Sequence, residues 1–304
     1  MPFLSDRPNR NLVLAIAALL GLACSDGGSS RGTGTLSVPI TDAPFPAHDG
    51  CLDEALITID GVEAKGDGGF YDVALVDPDP DGTVTLDLLA LRAGLMDSLA
   101  VSEVPTGSIS EIRLHILESV LVFEDGRDAD FKVPSGGSSG LKIRVDPPAL
   151  VVAGQTTTLI LDFDLAHSFH TRGLGGDPSC DDLKQGEDQV IFSPLVRANN
   201  ESTDGIILGN VTDAVATPAA NIEVCAFVAD TDIAVEPEPE PEATTFSAPD
   251  GLAGVDEGDY ALLLPAGVYD LYLRDLGEED RSLVLEDVDL SAGESLEGVD
   301  LSLP

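Results

Sequence analysis

The chain has 304 residues, with 15 Lys and Arg against 55 Asp and Glu and a formal net charge of −40. So acidic a surface repels phosphate backbones, and no run of Lys and Arg in the sequence offsets it, which excludes nucleic acid as an expected partner. Hydrophobic residues make up 43% and fall in strand-like runs, which excludes a disordered chain; the plain reading of the acid is solubility through self-repulsion.

Arg7 and Arg10 precede an apolar run over residues 12–23, which ends on a small residue followed by Cys24. A positive start, a short apolar middle and a small-residue cleavage site make a secretory signal. The run is too short for a membrane-spanning helix, which needs about 20 apolar residues. Cys24 resembles the cysteine of the bacterial lipoprotein lipobox, with Gly21 standing where Leu is usual. That resemblance implies cleavage before Cys24, diacylglycerol on its thiol and a membrane anchor, since two acyl chains supply the two signals stable anchoring needs. Ser25 after the cysteine, by the same resemblance, implies the outer membrane. A plain secretion signal that leaves the thiol bare is the alternative. Residues 24–35, rich in Gly and Ser, are expected as a lipidated tether.

Beyond the tether, runs rich in Val, Ile, Leu, Thr and Phe at 34–40, 55–64, 70–76, 83–89, 109–123, 129–133, 141–145, 149–152, 156–164 and 189–197 predict strands, many with period-two alternation. Gly, Asp and Pro turns separate them, among them Asp146-Pro-Pro148. Residues 88–99, apolar at spacings of three and four, predict the one short helix. A second unit with strands near 205–213, 221–229, 244–248, 259–264, 268–274, 282–288 and 295–303 follows, and its positive charge is limited to Arg274 and Arg281. Glu236-Pro-Glu-Pro-Glu-Pro-Glu242 is expected as an extended, solvated loop between two of these strands. The fold class is all-β: two β-sandwich domains, 36–200 and 201–304, after a signal peptide at 1–23.

Cys51 and Cys180 both sit in polar loops rich in Gly and Asp. In an oxidising compartment they are expected to pair. Cys225, in the apolar run Ile222-Glu-Val-Cys-Ala-Phe-Val228, is expected as a buried free thiol; a Cys180–Cys225 bond is the lesser alternative.

Leu36-Ser-Val-Pro-Ile-Thr-Asp-Ala-Pro44, Leu86-Asp-Leu-Leu89, Val104-Pro-Thr-Gly-Ser-Ile-Ser-Glu-Ile-Arg-Leu114, Gly140-Leu-Lys-Ile143 and Leu159-Ile-Leu-Asp-Phe-Asp164 together resemble the bacterial lipoprotein domain known as domain of unknown function 4382, over about residues 33–197. The resemblance implies an exported β-rich domain and no activity. Gly209-Asn-Val-Thr-Asp213 and Leu264-Pro-Ala-Gly-Val-Tyr-Asp-Leu271 resemble the transthyretin-like sandwich of carboxypeptidase regulatory modules, over about 203–303. That resemblance implies a structural, adhesive or carbohydrate-binding-like unit without catalytic residues, in which Gly267 relieves a tight turn and Tyr269 packs between sheets.

Asp77-Pro-Asp-Pro-Asp-Gly82 places oxygen ligands at alternate positions before a Gly, like the first half of a calcium loop, and makes Asp77, Asp79 and Asp81 candidate calcium ligands. The twelfth position is Leu88, so the bidentate Glu is missing, and a solvated acidic turn is the plainer reading. His167-Ser-Phe-His170 after Asp162-Phe-Asp164 offers two His and a carboxylate to zinc, without a further ligand in sight. No Gly-x-Ser-x-Gly elbow supports a serine nucleophile. No catalytic residue is assigned. The sequence therefore predicts a lipid-anchored, non-enzymatic binding or adhesion protein that takes a glycan or protein ligand. A metal-dependent hydrolase using Asp164, His167 and His170, and a purely structural envelope spacer, are the alternatives. No cofactor is assigned; calcium at Asp77, Asp79 and Asp81 is the first candidate ion, and zinc belongs to the hydrolase alternative.

Overall fold

Strand pairing builds two sandwiches one after the other in a computed structural model that describes residues 32–43, 51–133, 139–165, 167–173, 178–235, 239–275 and 281–304. In the first sandwich one sheet runs β12-β9-β1-β5, with β1 at Thr33–Ala43, β5 at Asp97–Pro105, β9 at Thr156–Asp164 and β12 at Leu195–Asn200. β1 lies in its middle, parallel to β9 and antiparallel to β5. Pro39, which has no N–H to donate, sits where both ladders slip: the pairing with β5 shifts between Val38 and Pro39, and that with β9 skips both residues. β1 begins at Thr33, inside the stretch expected as tether.

The facing sheet is built on two long strands, β2 at Leu52–Gly66 and β6 at Gly107–Phe123. β3 (Gly69–Val73) and β4 (Val84–Asp87) pair with β2, while β7 (Asp128–Asp130) and β8 (Leu141–Val151) pair with β6. Along β2 the buried residues are Ala55, Ile57 and Ile59, then Val62 and Ala64. The parity flips at Asp60-Gly61, where the β2–β6 register also slips. On β6 the buried set flips likewise, from Ile112, Leu114 and Ile116 to Leu121 and Phe123. The extra residues are β-bulges, which let strands this long bend while still feeding one core. Burying each Val, Ile, Leu or Phe of this set contributes about 1.5–3 kcal/mol.

Two expectations are corrected. The helix over 88–99 is a single 3₁₀ turn, Leu88–Ala90, after which β5 starts at Asp97. Ala93 and Gly94 both adopt positive φ (53° and 81°), which no right-handed helix passes through. The turn expected at Asp146-Pro-Pro148 does not divide two strands, because β8 runs through it with a cis Asp146-Pro147 bond.

The second sandwich pairs β13 (Asp204–Thr212) with β16 (Asp259–Pro265), β19 (Ser295–Leu296) and β20 (Leu301–Ser302). Its other sheet runs β15-β14-β17-β18, at Ala243–Phe246, Ile222–Val228, Gly267–Asp275 and Ser282–Leu290. Its core gathers Ile207, Val211, Val224, Tyr260, Leu262, Leu271 and Leu301, separately from the core of the first sandwich. Gly209 lets the C-terminal segment cross β13, because a Cβ there would stand 1.9 Å from the Val299 carbonyl oxygen. Tyr269 packs in this core, and its hydroxyl donates to Pro265 O at 2.7 Å. Gly267 serves that tyrosine and not an unusual backbone angle: its Cβ would meet the Tyr269 hydroxyl at 3.0 Å. On the outward face of β14 and β17, Cys225, Phe227 and Tyr272 form a small cluster with Ile233, so the β14–β15 connection folds back over its own sheet.

A polar cleft between the sandwiches

Alternation on β9 sends Leu159, Leu161 and Phe163 into the first core and turns Asp162 and Asp164 outward, toward the second sandwich. The register sets Arg197 of β12 opposite Asp162 and Leu195 opposite Asp164. A narrow seam follows, in which Thr41, Gly94 and Asp162 face Thr244, Thr245 and Leu262. Beside it opens a cleft of about 480 Å³ lined by Asp164, His167, His170, Arg197, Glu223 and Arg281, among others.

Each acid that reaches deepest into the cleft is already held. Asp164, buried at the end of β9, accepts from the His167 backbone N–H at 3.1 Å and lies 2.8 and 2.9 Å from His167 Nδ1. Ser168 Oγ donates to the Asp164 carbonyl and accepts from Leu195 N–H at 3.0 Å. Of the residues read as zinc ligands, Asp164 and His167 thus form a turn that closes β9, while His170 lies on the short strand β10 (Phe169–Thr171), opposite Ile191 of β11 (Val190–Phe192). Glu223 is 2% exposed and is clasped by Arg274 Nε and by Arg281 Nη2, the latter at 3.0 Å. A carboxylate in the middle of an apolar strand needs such partners, since an unpaired buried charge is very costly.

Asp162, half-buried in the seam, has its carboxyl pushed up to about 7, mainly by desolvation; Arg197 opposes the shift and Asp164 adds to it. A raised folded-state value means stability fully present below about 4 that is lost as pH rises through about 7. For a half-buried group the loss is expected at about 2 kcal/mol, half of the roughly 4 that three pH units allow. Asp162→Asn should therefore match the parent near pH 4 and exceed it by that amount at pH 8, as read by urea unfolding at both pH values. Equal pH dependence in the two proteins would refute the assignment.

The other predicted site residues are dispersed. Asp77, Asp79 and Asp81 occupy the β3–β4 connection, where Asp79 N–H donates to Thr83 O, Gly82 N–H to Asp79 O, and Thr83 Oγ1 to Asp81 Oδ1. Among the described residues no group of three or more His, Cys, Asp or Glu is placed to hold a metal ion; the three aspartates are not brought together as ligands. His115 faces outward from β6, 3.2 Å from Glu63. Cys51 and Cys180 form a disulfide spanning 129 residues, so Cys180 does not pair with Cys225. Cys225 is a buried free thiol, pushed up to about 12 chiefly by desolvation and so protonated and inert. Cys24, His48 and the Gly-Ser loop 134–138 lie outside the described residues.

Sequence reasoning did not find Arg197 or the Glu223–Arg274–Arg281 clasp. Its signal was present: one acid inside Ile222-Glu-Val-Cys-Ala-Phe-Val228, in a unit whose positive charge is limited to Arg274 and Arg281.

These elements define an all-β protein of paired sandwiches. Residues 33–180 match the family model described as Domain of unknown function (DUF4382). No curated protein matches the chain. Among solved structures it is similar to a leucine-rich repeat protein from Bacteroides thetaiotaomicron VPI-5482, at 11% identity and a TM-score of 0.21, over 90% of this chain and 26% of that one. It is also similar to the Bacillus anthracis TIE protein, at 12% identity and a TM-score of 0.21, over 89% of this chain and 51% of that one. The major pilin subunit of Bacillus cereus gives 10% identity and a TM-score of 0.21, over 89% of this chain and 70% of that one. The chain spans 26% and 51% of the length of the first two.

Proposed function

We propose that this chain is an exported protein, anchored in the outer membrane through acylated Cys24, which displays two sandwiches for non-enzymatic binding of a glycan or protein at the cell surface. The Cys51–Cys180 disulfide carries the reading: such bonds form and persist outside the reducing cytosol, in keeping with the signal-like residues 1–23. Binding is favoured over catalysis because the cleft's most buried acids are committed, Asp164 to His167 and Glu223 to two arginines. The second sandwich is read as carboxypeptidase regulatory-like, supported by Gly209 at the crossing of β13 and by Tyr269 between the sheets. Intact mass spectrometry of the protein extracted from its host's membranes tests the anchor. A chain starting at Cys24 and carrying a diacylglyceryl group is expected; a chain starting at Met1 with a bare thiol overturns the reading.

A further inference from the structure

The β2–β6–β8 sheet collects cations that the sequence scatters. Ala64, Ile112, Leu114, Ile143 and Val145 point into the core, so the residues between them face solvent. Cross-strand register arranges these in two adjacent rows. One row reads Asp72, Glu63, Arg113, Lys142; the next reads Phe70, Lys65, Glu111, Arg144. Of the 15 Lys and Arg in a chain of net charge −40, Lys65, Arg113, Lys142 and Arg144 thus share one small face.

The carboxylate within this group is shared: Glu111 Oε1 lies 2.6 Å from Arg113 Nε, and Oε2 lies 4.0 Å from Lys65 Nζ. Neither Lys142 nor Arg144 has an ion-pair partner among the described residues. Arg113 stands directly across from Lys142, and like charges set opposite one another on neighbouring strands destabilise a sheet. Phe70 is 41% exposed, with the Arg113 guanidinium 3.9 Å from its ring centroid. An exposed aromatic on β3 carries the Arg113 guanidinium, and two unpaired cations lie on β8, one strand spacing (about 4.8 Å) beyond Arg113; together they make a flat platform four strands wide for an extended anionic chain.

We infer that the strip of Arg113, Lys142 and Arg144, flanked by Lys65 and Phe70, binds a linear anionic polysaccharide. Charge geometry selects this occupant. Asp72 and Glu63 bound the strip on one side, and the rest of the surface is acidic, so a broad anionic plane such as a bilayer meets net repulsion. A single polymer strand lies within the roughly 8 Å over which local charges dominate at physiological salt, and it senses the strip before the distant acids. The inference supplies the ligand class for the surface-binding reading above and rests on it; failure of the anchor shows in the mass of the N-terminus, failure of the strip in binding alone.

The test uses the full chain in detergent, with polygalacturonate and heparin as probes, neutral dextran as control, and phosphatidylglycerol vesicles as the rival anionic surface. Binding to at least one acidic polysaccharide and not to dextran is expected, weakening with salt. Lys142→Glu/Arg144→Glu should reduce affinity by about tenfold or more and lower the dependence of log K on log salt by about one to two. Both side chains are exposed, so the fold is expected to survive, and circular dichroism checks it; Lys142→Gln/Arg144→Gln repeats the test with a smaller charge change. Lys132→Glu/Arg172→Glu makes the same change of charge elsewhere and should retain binding. The inference is overturned if neither polysaccharide binds at low salt, if the two Glu variants lose affinity equally, or if Lys142 and Arg144 govern only vesicle binding or self-association.

Discussion

Cys51→Ser is expected to lower the unfolding free energy by about 3–5 kcal/mol. The bond closes a loop of 129 residues, and the chain-entropy model gives about 4.7 kcal/mol already for a loop of 100. Cys51 leads into β2, while Cys180 opens the short helix Cys180–Leu183, whose cap Ser179 accepts from Asp182 N–H and donates its own N–H to Asp182 Oδ2. Leu183 is fully buried in the first core, and Lys184 reaches Asp125 at 2.8 Å across the β6–β7 turn. The helix therefore has packing of its own, and the variant should fold while unfolding at a lower urea midpoint. Reduced parent protein should fall to the same midpoint. Parent and variant unfolding alike under oxidising conditions would show the bond to be energetically idle.

Glu223→Gln is expected to cost about 3 kcal/mol, the low end for breaking a buried ion pair. Arg281 is only 13% exposed and Arg274 31%; without the carboxylate the two guanidinium groups repel each other, although Arg274 retains some hydration. Replacing all three by apolar residues should recover most of the loss, because desolvating the clasp offsets much of its attraction. Urea unfolding of the single and triple variants gives both numbers. A triple variant no more stable than Glu223→Gln would mean that the arginines act through contacts other than the charge. One such contact exists: the Arg281 guanidinium lies 6.0 Å from the Phe227 ring centroid.

Period-two alternation makes most strands readable in the sequence, and β9 falls on residues 156–164 as expected. It failed where local rules conflict. The spacing in 88–99 is helical, but Ala93 and Gly94 turn left-handed and release the chain into β5, whose Asp97, Leu99, Val101 and Val104 do not alternate cleanly. Pro147 and Pro148 argue for a turn; at the edge of a sheet their missing donors cost little, so β8 continues through them. The disulfide was legible because loop cysteines in an export context have few other fates. The cleft and the cationic strip were not, because both depend on register. Arg113, Lys142 and Lys65 are neighbours only once β2, β6 and β8 align, and the bulges that flip parity along β2 and β6 cannot be located from hydropathy alone.

The central position of β1 has a mechanical consequence. It is bonded on both flanks, antiparallel to β5 and parallel to β9, and among the described residues it is the strand nearest in sequence to the proposed anchor. Tension entering at Thr33 runs along the strand axis and loads both ladders in shear, many bonds at once, where an edge strand would peel open bond by bond. A ligand dragging on the opposite sheet would thus pull against the strongest arrangement this topology offers.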